Sequence, residues 1–211
     1  MARIVAGLPE AEGFALAGGA ALVVMRVVDR ATRDLDFFGP SADEVDVLVP
    51  AVESALSAAG FGVRRERASH GFARLTVVDG DEVTAVDLAA DARIRPAESG
   101  PLGPTLSLEE LGADKLLALF DRAQGRDFVD VAALVERFGL ERLCELASEK
   151  DSGFTRAVLV DMLGSFRRFA PEEFSLSKDA YEDLARSVEG WRSELGSTQT
   201  PVDPPAPEVE L

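Results

Sequence analysis

The sequence predicts an α+β fold, with a mixed first half and a helical second half. Three observations lead there. Strand-like runs follow one another at residues 61–68, 72–78 and 83–88. Helix-periodic apolar positions recur at 41–60 and in several segments after residue 106. Between these halves, residues 93–105 hold Pro96, Gly100, Pro101, Gly103 and Pro104, and past this expected loop the strand signals stop. The chain therefore divides into an α/β part at 1–104, a helical part at 105–195 and a tail at 196–211. The tail is rich in proline and acid and short of core residues, so it is expected to be disordered.

Each element has a local reason. Residues 1–13 read as a short helical lead-in. A brief apolar run, Phe14 to Ala17, meets the pair Gly18-Gly19, and an apolar stretch of helical length follows at 20–28. After a polar link at 29–33, Asp34-Leu35-Asp36-Phe37-Phe38 has the aromatic and apolar character of a strand. Ser41 with Glu44 forms a capping-box pattern, Val45, Leu48, Val49, Val52 and Leu56 recur at helical spacing, and Gly60 is a natural stop. Asp79-Gly80 marks a hairpin turn between the second and third strand-like runs. Ser107 with Glu110 repeats the capping box, with Gly112 a candidate break in the apolar run that follows. Lys115 and Arg122 lie two helical turns apart and so share a face. Asp127 and Asp130 open the next helix, where the dipole favours acids. Further helices are expected at 140–150, 154–169 and 177–195, with Pro171 between the last two.

Composition narrows the function classes. A chain of 211 residues with 46% hydrophobic content can bury a sizeable core. Its net charge of −16 argues against broad, non-specific nucleic-acid binding, although a local basic groove stays open. One cysteine, Cys144, excludes an internal disulfide, fits a reducing compartment and falls on an apolar helix face. The start lacks a secretory pattern and no apolar run approaches membrane-spanning length, so a soluble cytoplasmic protein is expected. The single histidine, His70, has no cysteine or histidine partners for a metal site, and the phosphate-loop pattern Gly-x-x-x-x-Gly-Lys is absent.

The chemistry concentrates in residues 14–38. On a strand Asp34 and Asp36 point the same way, and two adjacent carboxylates repel. A divalent cation removes that repulsion, and oxygen-only ligands suit magnesium or manganese. A glycine pair at a helix start lets the backbone approach an anion. Alone, Gly-Gly is an ordinary turn and Asp-x-Asp an ordinary solvated strand end. Together, with Arg30, Thr32 and Asp34 alternating into the acid pair, they point to a metal-bound nucleoside triphosphate. Elsewhere Arg64, Arg65, Arg67, Arg74 and His70, against one acid, Glu66, form a basic island in an acidic chain. It is the best candidate for meeting RNA, with a solvated strand edge as the ordinary alternative.

LAGGAAL followed by RATRDLDFF resembles the first motif of the nucleotidyltransferase-fold toxins of the AbiEii and MenT type: Gly-Gly, a spacer, then Arg-x-Ser/Thr-x-Asp-x-Asp. Here it is Gly18, Gly19, Arg30, Thr32, Asp34 and Asp36. ADKLLALFDR resembles a later motif through Lys115, Ala118 and Arg122, and RDFVDVAAL another through Arg126, Asp127, Asp130 and Leu134. The resemblance spans about residues 14–134. It implies a nucleotidyltransferase domain like that of DNA polymerase beta, magnesium dependence, a nucleoside triphosphate substrate and a cognate antitoxin. It implies transfer of a nucleotide to RNA, the 3′ acceptor end of tRNA above all, blocking translation. In that scheme Asp34 and Asp36 are catalytic metal ligands, with Asp87, or else Asp91, as a third carboxylate. Gly18, Gly19, Arg30, Thr32, Lys115 and Arg122 bind the nucleotide. Lys115 and Asp130 complete the catalytic set, with Asp130 orienting Lys115 or joining the site. Thr32 matches a position phosphorylated as an off-switch in some relatives. Two rivals stand beside this reading: transfer to a small-molecule or protein hydroxyl, and a non-catalytic interaction module of the same fold.

Overall fold

The computed structural model describes residues 1–32, 34–174 and 176–197. Helix α1 (Ala2–Ala6) and a short 3-10 turn (Pro9–Ala11) lead into β1 (Ala15–Ala17) and α2 (Gly18–Val24). Strand β2 (Asp34–Gly39) and α3 (Ala42–Ala58) follow, then β3 (Gly62–Ser69), β4 (Phe72–Asp79) and β5 (Glu82–Ala90). After β6 (Glu98–Gly100) and β7 (Gly103–Thr105) come five helices: α4 (Leu108–Asp121), α5 (Gly125–Phe138), α6 (Leu140–Lys150), α7 (Arg156–Leu163) and α8 (Lys178–Ser197). The strands form one mixed sheet in the order β3-β4-β5-β2-β1-β7-β6.

The expected caps form. Ser41 and Ser107 each accept a hydrogen bond from the third residue of the helix they open, Glu44 and Glu110. Gly60, at φ 94°, ends α3 while Phe61 N–H closes back on the Leu56 carbonyl. The same closure stops α2 short of the expected residue 28. Arg26 takes φ 56°, and Val27 N–H donates to the Leu22 carbonyl at 2.9 Å. Residues 154–169, expected as one helix, divide into α7 and a 3-10 turn (Gly164–Arg168). Gly196 and Ser197, expected in the tail, extend α8, and residues 198–211 lie outside the described residues.

Two further expectations change. The proline- and glycine-rich segment at 93–105 carries the β6–β7 hairpin, and β7 runs parallel to β1, with Leu106 N–H bonded to the Leu16 carbonyl at 2.9 Å. Gly112 does not break α4. A methyl at Gly112 would lie 2.8 Å from Leu143 Cδ2, so the glycine lets α4 and α6 approach closely.

Alternation along the strands gives the sheet two faces. Leu16, Phe37, Leu75, Val77, Val86 and Leu88 are buried on the face covered by α3. Asp34, Asp36, Arg74, Thr76, Ala85 and Asp87 occupy the other face. The buried apolar side chains of sheet and helices form one continuous cluster. No helix among the described residues is long and apolar enough to cross a membrane.

Candidate active site

Two neighbouring strands carry the acids. Strand β2 lies antiparallel to β1, with Ala17 opposite Asp36, and parallel to β5, with Asp36 opposite Asp87. Asp34 and Asp36 share a face as their spacing requires, and Asp87 stands beside them one strand away. Asp91 lies just past the end of β5 and accepts from Lys150 Nζ at 2.7 Å.

The glycine pair makes room for these groups. Gly18 sits at φ 61°, and a methyl there would lie 1.8 Å from Asp36 Oδ2. A methyl on Gly19 would lie 2.7 Å from an Arg30 guanidinium nitrogen. Any side chain at either position would collide with a group of the site.

The cations come from β4, α4, α5, α6 and the α2–β2 connection. Asp130, fully buried on α5, organises two of them. It accepts a bidentate pair from Arg30 at 2.8 Å on each oxygen and lies 2.8 Å from Lys115 Nζ. Lys115 and Arg30 line the cavity, whereas Asp130 stands behind them. Asp127, also buried, accepts from Arg122 at 3.1 Å on both oxygens and from Gln124 N–H, capping α5. The other two arginines hold acids directly. Arg74 grips Asp87 at 2.7 and 2.5 Å, and Arg126 reaches Asp34 at 3.0 Å.

These groups surround a cavity of about 390 Å³, a size that suits a nucleotide-scale ligand. Among the described residues that line it, six are carboxylates (Asp34, Asp36, Asp87, Asp91, Asp114, Asp121) and six are cations (Arg30, Arg74, Lys115, Arg122, Arg126, Lys150). The wall is thus charge-balanced in a chain of net charge −16, so it does not repel an anionic ligand as the rest of the surface does. The surroundings of Asp36 oppose its charged form. Burial pushes its carboxyl above the usual range, Asp87 and Asp34 push further, and Lys115 opposes them. An oxygen-only donor set whose repulsion Arg74, Arg126 and Lys115 only partly offset fits a hard divalent cation, which Asp34, Asp36 and Asp87 would hold. At the other end, Lys150 is held by Asp91, Glu110 and Asp114. Those three carboxylates come close enough for a shared ion, but the Lys150 ammonium already sits among them.

The geometry brings Gly18, Gly19, Arg30, Thr32, Asp34, Asp36, Asp87, Lys115 and Arg122 together around one cavity. Thr32 lines it and donates to the Asp34 carbonyl at 3.3 Å. The basic island is divided. Arg74 belongs to the cavity through Asp87. Arg65 faces α3 and pairs with Glu53 at 2.8 and 2.5 Å, away from the acids. Arg64 and Arg67 lie on the acid-bearing face, Arg64 bonded to Glu66 at 2.8 Å. His70 pairs with Asp46 at the hairpin end. Sequence reasoning gave no site role to Arg126, Lys150, Asp114 or Asp121. Arg126 lay inside a quoted motif, but its bond to Asp34 crosses 92 residues. Lys150 is the last residue of an ordinary amphipathic helix and gave no local signal.

Comparison with known proteins agrees with this architecture. The chain matches, over residues 1–205, the family model described as nucleotidyl transferase AbiEii toxin, type IV toxin–antitoxin system. None of the curated proteins matches it significantly. Among solved structures, JHP933 from Helicobacter pylori superposes with a TM-score of 0.60 at 15% identity, over 93% of this chain and 90% of that one. A second Helicobacter pylori protein, provisionally described as a nucleotidyltransferase, gives 0.58 at 16% identity, over 94% and 95%. At such identities these neighbours speak for the fold alone, and it is the family match across nearly the whole length that assigns the chain to the AbiEii nucleotidyltransferase toxins of type IV toxin–antitoxin systems.

Proposed function

We propose that this chain transfers a nucleotide from a nucleoside triphosphate to RNA, the 3′ acceptor end of tRNA being the favoured target, and so blocks translation. The observation that carries this reading is the row of Asp34, Asp36 and Asp87 lining one cavity together with Lys115 and Arg30. Both parts of the chain, 1–104 and 105–195, supply these groups. The acceptor hydroxyl oxygen bonds to the α-phosphorus, the α–β anhydride bond breaks, and pyrophosphate leaves. Asp87 receives the hydroxyl proton. Magnesium or manganese held by Asp34, Asp36 and Asp87 would supply charge neutralisation at the reacting phosphate. Lys115 and Arg122 meet the leaving phosphates. Asp130 fixes Lys115 and Arg30 in position. A phosphate on Thr32 would add about two negative charges beside the acids and repel the triphosphate, an off-switch that a cognate antitoxin could set.

The test is incubation with total tRNA, magnesium and each labelled triphosphate in turn, with Asp36→Ala alongside. Label on tRNA with the wild type and not the variant is expected. Label on no RNA from folded, unphosphorylated protein overturns the RNA reading. The rival acceptor, a small cationic hydroxyl compound, draws support from the overall acidity of the chain, and an aminoglycoside acceptor in the same assay tests it.

A further inference from the structure

We propose that the open face of β5, β4 and β3 beside Asp87 is the track along which the acceptor RNA strand enters, with Arg64 and Arg67 holding its backbone phosphates. The inference rests on the nucleotide-to-RNA reading above and adds where the acceptor lies.

Four cross-strand neighbours form a row on one face: Arg67 on β3, Arg74 on β4, Asp87 on β5 and Asp36 on β2. A second row runs Arg64, Thr76, Ala85, Asp34. Strands lie about 4.8 Å apart, so Arg67, two strands from Asp87, sits about 10 Å from it. That separation suits phosphates just upstream of a hydroxyl placed at Asp87. Helix α4 walls the cavity on the side of Lys115 and Arg122. A neighbouring groove shares Asp34 with the cavity and is floored by Gly62, Thr76, Val78, Val83 and Ala85, with Val63, Arg64 and Glu66 also lining it. This floor is small or apolar, and Val78 and Val83 are 38% and 58% exposed. It leaves space for bases to lie flat while their phosphates turn to the arginines.

Charge singles out the same residues. Arg74 is committed to Asp87, and Arg65 to Glu53 on the far face. Arg64 is held by Glu66 beside the groove and is 71% exposed. Arg67 is exposed and makes no ion pair among the described residues. A β-bulge at Glu66 produces this arrangement. Strict alternation would put Arg65 and Arg67 on one face, whereas the extra residue turns Arg64 and Arg67 to the acid side together. An unpaired cation on an exposed edge strand of a strongly acidic protein calls for an anion, and a phosphodiester strand ending at Asp87 supplies one.

The test compares Arg67→Gln, the double variant Arg64→Gln/Arg67→Gln, and Arg65→Gln. All remove charge from one strand, but only the last removes it from the other face. The expected result is a KM for acceptor RNA raised roughly tenfold in the double variant, an unchanged KM for the triphosphate, and a salt slope of RNA affinity lowered by about one per arginine. Affinity is read separately by anisotropy of a short 5′-fluorescent single-stranded RNA, in an Asp36→Ala background. Arg65→Gln is expected to leave both RNA measures unchanged. If the wild type transfers to RNA and the double variant keeps both its KM and its RNA affinity, the track is overturned while the function stands. Equal losses in Arg65→Gln also overturn it, because a general charge effect would then suffice. If the wild type labels no RNA, the functional reading falls first and takes the track with it.

Discussion

Asp130→Asn isolates the anchor of the cationic wall. The carboxylate is fully buried and holds two cations: Arg30 through two bonds of 2.8 Å and Lys115 through a contact of 2.8 Å. Removing one partner of a buried ion pair costs about 3–5 kcal/mol, because the other charge stays desolvated. Two features moderate this. Asparagine preserves the shape and one acceptor oxygen, and the Arg30 side chain, 21% exposed, can recover water. Lys115 is only 8% exposed and bears most of the loss. The expected destabilisation is therefore about 2–4 kcal/mol, or a fall in Tm of roughly 6–12 °C for a chain of this size. Urea denaturation gives the free energy directly, and a double-mutant cycle with Lys115→Met tests its origin. Once the ammonium is gone, Asp130→Asn is expected to cost at least about 1 kcal/mol less than in the wild type. Additive effects within about 0.5 kcal/mol would refute the anchoring argument. So would an Asp130→Asn protein of full stability that no longer transfers nucleotides, since Asp130 would then be acting on the reaction itself.

Gly18→Ala places a side chain at φ 61° and 1.8 Å from Asp36 Oδ2, whereas Gly80→Ala places one at φ 59° in open space. Each is expected to lose about 1–2 kcal/mol from backbone strain, but only Gly18→Ala weakens manganese binding in titration calorimetry; equal binding in the two variants would contradict the steric role. Burial raises the Asp114 carboxyl from 3.8 to about 6, against the opposing pull of Lys150 and with Asp91 and Glu110 adding to the rise. A raised acid favours the folded state when protonated. Its contribution is complete below 3.8 and is lost as pH rises through about 6, so Asp114→Asn is expected to flatten the fall in stability across that window. Burial also pushes the Cys144 thiol up to about 11. Native protein is expected to resist iodoacetamide at neutral pH, with labelling tracking global unfolding in urea; rapid native labelling would contradict its place in the core.

What was legible in the sequence was what is decided within a few residues. The caps at Ser41 and Ser107, the stop at Gly60 and the common face of Asp34 and Asp36 each depend on one turn of helix or one strand period. What was hidden depends on partners far along the chain. Strands β6 and β7 have three residues each and a loop-like composition, and they are strands because β7 finds β1. Gly112 looks like a helix break until Leu143 is seen against it. The basic island looks uniform because the bulge at Glu66, which decides which arginines face the acids, has no signature in composition.

The glycine pair shows how the two levels meet. Read locally, Gly18-Gly19 is a turn that lets an anion approach. In the fold, its first requirement comes from the protein's own side chains. Strand β1 ends at Ala17, opposite Asp36, so the next residue turns into α2 directly over that carboxylate and must lack a Cβ. The chain then returns through Arg30, whose guanidinium crosses Gly19 on its way to Asp130. The length between the glycines and the acids is thus the length of one helix out and one link back. The motif spacing is a packing condition, met so that Asp36 and Arg30 can both line one cavity against glycine backbone and nothing larger.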